Sequence, residues 1–143
     1  MIALPDINVL LALAWSNHPH HDAAHRWFAR DAAAGWATCL FTQTGFLRLS
    51  LNPQVVGVAI DCQAALHLLH SLVAHPAHHY METAPALTAS SFDALAPKII
   101  GYQQVSDATL LHLARVCGLK LITLDRPVAT ICPWNDHLEL LTP

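Results

Sequence analysis

A chain of 143 residues with 54% apolar and only 12% charged side chains can bury a real core, which excludes a disordered segment. It has no run of about 18 uncharged apolar residues, so no transmembrane helix is expected, and Met1 to Asp6 lacks the basic start of a signal peptide, so a cytoplasmic protein is expected. The formal charge of −3 and pI near 6.4 exclude a strongly basic nucleic-acid coat; a nuclease stays open, because acidic metal ligands themselves lower the balance.

One domain spanning residues 1–143 is expected at this length. The mean hydropathy of +0.37 points to surface that another chain covers. Ile2 to Leu4 reads as a buried strand closed by Pro5 and Asp6. A short apolar helix follows over Val9 to Trp15, and a second over His20 to Ala34, ended by Gly35. Trp36 to Leu40 suits a strand. Thr42 to Leu51 reads as a helix that Asn52-Pro53 stops. Asp61 caps a helix running to about Ala74. His79 to Glu82 reads as a short strand and Ser91 to Leu95 as a helical turn. A helix starts at Ser106 or Asp107, carries Leu110, Leu111, Leu113 and Ala114, and ends at Gly118. Lys120 to Leu124 is an apolar strand terminated by Asp125, and His137 to Leu141 a last edge strand. Strands alternating with helices imply an α/β fold with a mainly parallel sheet.

In such a sheet, ligands gather outside the carboxyl ends of the strands. Asp6 and Asp125 each follow a strand, and Asp107 opens a helix. Aspartate is also common at such places for local reasons, as a cap or turn residue. If the three converge, their charges repel, and a hard divalent cation resolves the conflict. Such a cation activates water and holds a phosphate oxygen.

Four segments in order carry a resemblance: Asp6-Ile-Asn8-Val-Leu-Leu, Thr42-Gln-Thr-Gly-Phe-Leu-Arg48, Val105-Ser-Asp107-Ala-Thr-Leu-Leu and Leu121-Ile-Thr-Leu-Asp125-Arg126. Together they resemble the PIN-domain ribonucleases, and among them the VapC toxins of toxin–antitoxin pairs. The resemblance implies a three-layer α/β/α sandwich and a Mg²⁺- or Mn²⁺-dependent endoribonuclease that leaves 5′-phosphate and 3′-hydroxyl ends. It also implies an RNA substrate, an inhibiting VapB-type antitoxin and a homodimer. By the same resemblance Asp6, Asp107 and Asp125 are the metal ligands and the catalytic set. Asn8 and Thr123 support them.

One position departs from the pattern. Many relatives carry a glutamate in the helix that here reads Gly45-Phe46-Leu47-Arg48, and the acid position falls on Phe46 or, one turn earlier, on Gln43. Gln43 can hydrogen-bond a water on the metal but brings no charge. The expectation is a three-aspartate centre with weakened metal affinity, with Asp93 and Glu82 as stand-ins. The alternative is a PIN-fold module that binds RNA and antitoxin with little or no catalysis. A receiver-like phosphoacceptor domain would need an acidic pair after the first strand, a central aspartate and a late lysine, and the chain has one acid there and no suitable central aspartate.

Arg48 and Arg126 flank these motifs as RNA-phosphate candidates or as ion-pair partners of the aspartates. Arg26 and Arg30 form a small basic helix face. Trp15, Trp27, Trp36 and Trp134 read as packing residues or base-stackers. Of the eleven histidines, His21 and His25 sit one helical turn apart, as a zinc pair or as capping side chains. Cys39, Cys62, Cys117 and Cys132 lack any Cys-x-x-Cys spacing, so reduced, buried thiols are expected.

Overall fold

The structure, a computed structural model, describes residues 1–143. In chain order the elements are β1 (Ile2–Pro5), α1 (Ile7–Ala14), α2 (His21–Asp31), β2 (Trp36–Cys39), α3 (Leu40–Ser50), α4 (Pro53–Val56), α5 (Cys62–Val73), β3 (His78–Met81), α6 (Val105–Cys117), β4 (Leu119–Thr123), α7 (Val128–Ile131) and β5 (Leu138–Leu140). The five strands pair in parallel in the order β3-β2-β1-β4-β5. No helix is long and apolar enough to cross a membrane.

The central strands are short and apolar on both sides because helices cover both faces of the sheet. On one face Ala3, Trp36 and Ile122 pack with Leu10, Trp27, Phe46 and Leu69 from α1, α2, α3 and α5. On the other, Leu4, Cys39, Leu119 and Leu121 pack with Leu110, Leu111 and Leu113 of α6 and with Val128 and Ile131 of α7. Alternate residues of β1 and β4 therefore serve opposite cores, which is the three-layer arrangement.

The start of the chain sets the geometry. Pro5 pairs with Ile122 at the end of β1, and Asp6 then turns the chain into α1, its carboxylate accepting from the Ile7 amide at 2.7 Å. The helix begins at Ile7, two residues before the expected Val9, because Asp6 itself caps it. Gly45 of α3 lies against this first turn. A Cβ at position 45 would come within 2.7 Å of Ile7 Cγ1, so the glycine lets α3 and α1 approach closely.

Four local departures from the sequence reading have physical causes. The second helix is α-helical only to Asp31; Ala32–Ala34 tighten into a 3-10 turn before Gly35 at φ +115°. The third starts at Leu40, because Thr42 turns its hydroxyl back to cap the Cys39 amide at 3.0 Å. Asn52-Pro53 does stop that helix, but the same pair starts α4: the Asn52 side chain accepts from Gln54, and proline suits a first helical turn. The four-residue α7 falls between the expected elements, being too short for a helical period to show.

Candidate active site

Asp6 sits at the carboxyl end of β1 and Asp125 two residues beyond β4, the strand paired to it. Asp107 lies in the first turn of α6. The side chain that ties the strand ends together is Thr123. Its hydroxyl donates to Asp6 Oδ2 at 2.8 Å and accepts from the Asp125 amide at 3.1 Å. Asn8 closes the arrangement: its Nδ2 donates to Thr123 Oγ1 at 3.3 Å, and its Oδ1 accepts from the Leu124 amide at 3.3 Å. Asn8 thus acts on Asp6 through Thr123, and it fixes the turn that presents Asp125.

The three carboxylates act on one another electrically. Asp107 is half-buried and is pushed up to about 6 by burial and by the charges of Asp6 and Asp125. Burial also raises Asp6; the Thr123 and Ile7 hydrogen bonds oppose it, and Asp125 adds to the rise. No lysine or arginine forms an ion pair with any of the three, since the ion pairs of the molecule run from Arg30 to Asp31 and Glu139. Asp107 and Asp125 line an open cleft of about 650 Å³, whose other wall is Ile100 to Gln104 with Pro127. That segment was not picked out in the sequence, because a glycine and an aromatic before a helix start form no periodic pattern.

Asp6, Asp107 and Asp125 bring only oxygen donors, the chemistry that suits a hard divalent cation. As placed, no group of three or more His, Cys, Asp or Glu side chains is arranged to hold a metal ion. Mg²⁺ retains several waters and needs only one or two protein carboxylates, so the fit rests on the pair that lines the cleft, Asp107 and Asp125.

The raised Asp107 has a consequence without metal. Its folded pKa lies above its unfolded one, so the folded state binds the extra proton between about pH 4 and 6. Stability then falls as pH rises through that window and is flat above it. Asp107→Asn is expected to raise the metal-free melting temperature at pH 7 and to leave it unchanged near pH 4, read by thermal scans in EDTA. Equal scans for the two proteins at pH 7 would show the carboxylate is not destabilised.

Other expected residues are placed elsewhere. Gln43 donates from Nε2 to Thr38 Oγ1 at 3.0 Å, and that hydroxyl meets His78 Nε2 at 2.8 Å. None of its hydrogen bonds reaches an aspartate. Phe46 is fully buried in the core, so it is a packing position where a carboxylate would be desolvated. Glu82 and Asp93 are exposed, and neither is among the charges that act on Asp6 or Asp107. Arg48 and Arg126 are exposed and form no ion pair, so the ion-pair alternative fails for both. Arg30 is engaged with Asp31 and Glu139 rather than offering a free basic face.

The histidine pair caps a helix. His21 Nδ1 meets the Ala12 carbonyl at 2.7 Å and His25 Nε2 the Leu13 carbonyl at 3.0 Å, the open carbonyls at the end of α1. Trp27 and Trp36 are core residues and so not base-stackers, while Trp15 packs half-buried against the same core and donates to Ser50. All four cysteines are unpaired, but Cys62 is exposed, contrary to the expectation of burial.

The PIN-domain model matches residues 3–131. The chain belongs to the PIN-domain family. Within it, the chain is 43% identical over 143 residues to ribonuclease VapC38 of Mycobacterium tuberculosis, covering 99% of each protein. It is 36% identical over 130 residues to ribonuclease VapC39 of the same organism, covering 90% of this chain and 92% of that one. The likeness to VapC ribonucleases agrees with the resemblance read from the four motifs. The fold of this PIN protein also matches VapBC2 from Rickettsia felis, solved bound to a DNA fragment from its promoter, with a TM-score of 0.66 at 14% identity over 99% of this chain and all of that one. The parallel five-stranded sheet between helical layers is therefore the PIN fold.

Proposed function

We propose that this PIN protein is a VapC-type toxin, a metal-dependent endoribonuclease that hydrolyses RNA phosphodiester bonds. The observation that carries the reading is the meeting of Asp6, Asp107 and Asp125 at one end of the sheet, mutually repelling and without a cationic side chain among them. In this reading the three aspartates hold Mg²⁺ or Mn²⁺. When bound, such a cation would supply positive charge for the scissile phosphate and lower the pKa of water, so that the nucleophile is available at neutral pH.

The chain's own residues do the positioning. Thr123 holds Asp6 by its hydroxyl and Asp125 by its backbone amide, and Asn8 fixes Thr123. Two acids from separate strands are thereby kept in register through one hydroxyl. In this reading Arg126, exposed beside Asp125, would meet a neighbouring RNA phosphate, and Arg48 in the last turn of α3 is a second candidate for such a contact. Gln43, tied to Thr38, orders the start of α3 beside β2.

The VapC relatives support a VapB-type antitoxin as the inhibiting partner. A homodimer belongs to the same reading: Leu51, Val55, Val58 and Leu66 leave apolar side chains exposed along the segment from α3 to α5.

Incubating the purified protein with total RNA tests the reading. Cleavage is expected with Mg²⁺ or Mn²⁺, and EDTA is expected to stop it. A folded protein that cuts no RNA with either metal would shift the reading to a non-catalytic binding module.

A further inference from the structure

We propose that Tyr102, with Ile100 beside it, is a stacking platform for an unpaired base of the RNA next to the scissile phosphate. This rests on the ribonuclease reading and deepens it. Ile100 is 93% and Tyr102 85% exposed, the highest values among the molecule's large apolar side chains. Both line the cleft that holds Asp107 and Asp125. Its volume of about 650 Å³ has room for a nucleotide.

The platform is built in advance. Gln104 Oε1 accepts from the Ile100 amide at 2.6 Å and from the Gly101 amide at 3.3 Å. This pins the turn that carries both side chains. Gln103 Nε2 donates to the Tyr102 hydroxyl at 3.4 Å. The turn over Tyr102–Gln104 runs directly into α6, so the ring is held a short distance along the chain from Asp107.

Electrostatics explains why a neutral contact is needed here. The cleft is acidic, and the chain has only seven lysines and arginines in all. Beyond Arg126 and Arg48, phosphates gain little from the protein itself, whereas an aromatic face attracts a base regardless of local charge. The base must be unstacked to reach the ring, so the target is a loop, bulge or single strand.

The test measures binding of fluorescein-labelled short single-stranded RNA in Ca²⁺ by anisotropy, and cleavage kinetics in Mg²⁺, for the wild type, Tyr102→Ala and Tyr102→Phe. Tyr102→Ala is expected to weaken binding and raise KM about 5- to 150-fold, with kcat little changed. Tyr102→Phe is expected to restore both, and all three proteins should melt together because the ring is exposed. Unchanged RNA binding in Tyr102→Ala, or a loss that phenylalanine does not restore, overturns the platform. A wild type that binds no single-stranded RNA overturns it as well. If Tyr102→Ala weakens only the complex with the antitoxin, the surface serves a protein partner and the proposal falls. If the wild type binds RNA through Tyr102 but cuts none, the platform stands and the ribonuclease reading fails.

Discussion

Asp6→Asn is expected to abolish metal-dependent RNA cleavage while the protein stays folded. The substitution keeps the shape of the side chain. An asparagine carbonyl can still accept from the Ile7 amide, the bond that starts α1. Its amide nitrogen would face Thr123 Oγ1, whose two lone pairs already accept from Asn8 and the Asp125 amide, so the bond to Thr123 is given up while the fold keeps its other contacts. What disappears is one charge from a set of three that burial has already made costly. Without that charge the cation loses its attraction at the strand end, and the loss of cleavage should be about 100-fold or more, since even residues behind metal ligands act on a 10- to 100-fold scale. The metal-free protein should stay close to wild type in stability, because the relief of repulsion among the carboxylates offsets the lost Thr123 bond. Added Mg²⁺ should raise the melting temperature of the wild type and do so much less in Asp6→Asn. Full cleavage by Asp6→Asn would remove Asp6 from the metal site. Asp107→Ala and Asp125→Ala, run in the same assay, should fail in the same way.

The candidate site was legible because its parts sit at element boundaries. A strand that ends in Pro5-Asp6 and another that ends in Thr123-Leu-Asp125 announce themselves by the change from apolar to acidic. The parallel sheet then puts both ends on one edge. Asp107 was legible as a helix start. The link between them was not: that Asn8 reaches Thr123 depends on the β1–β4 register, which pairs residues more than a hundred positions apart. The same limit explains Gln43. Helical spacing put it one turn from Phe46, but only the packing of α3 on the sheet shows its amide going to Thr38. The histidines were ambiguous for a related reason. A spacing of one helical turn suits a metal pair and a pair of caps equally, and the choice depends on where the end of α1 lies. The platform turn of Ile100 to Gln104 lacks any periodicity, so its pattern carries no signal before its exposure is known.

Phe46→Ala is expected to destabilise the protein by about 3–5 kcal/mol, the combined loss of transfer free energy and the cavity left behind. Phe46 is fully buried within the core formed by Leu10, Trp36 and Leu69, and it adjoins Gly45, where α1 comes closest to α3. Neighbours held that tightly collapse little into a hole, which places the cost toward the upper part of the range. A protein of this size has roughly 5–15 kcal/mol in total, so the variant would sit close to its unfolding threshold. Urea titration would show a lower midpoint with an unchanged slope. Because the ring lies inside the core and not in the cleft that Asp107 and Asp125 line, cleavage per folded molecule should hold while cleavage per total protein falls with the folded fraction. A near-zero change in midpoint would mean that the ring does not fill the core. A normal midpoint with lost cleavage would instead give position 46 a direct part in the site. The two outcomes separate a position kept for packing from one kept for chemistry.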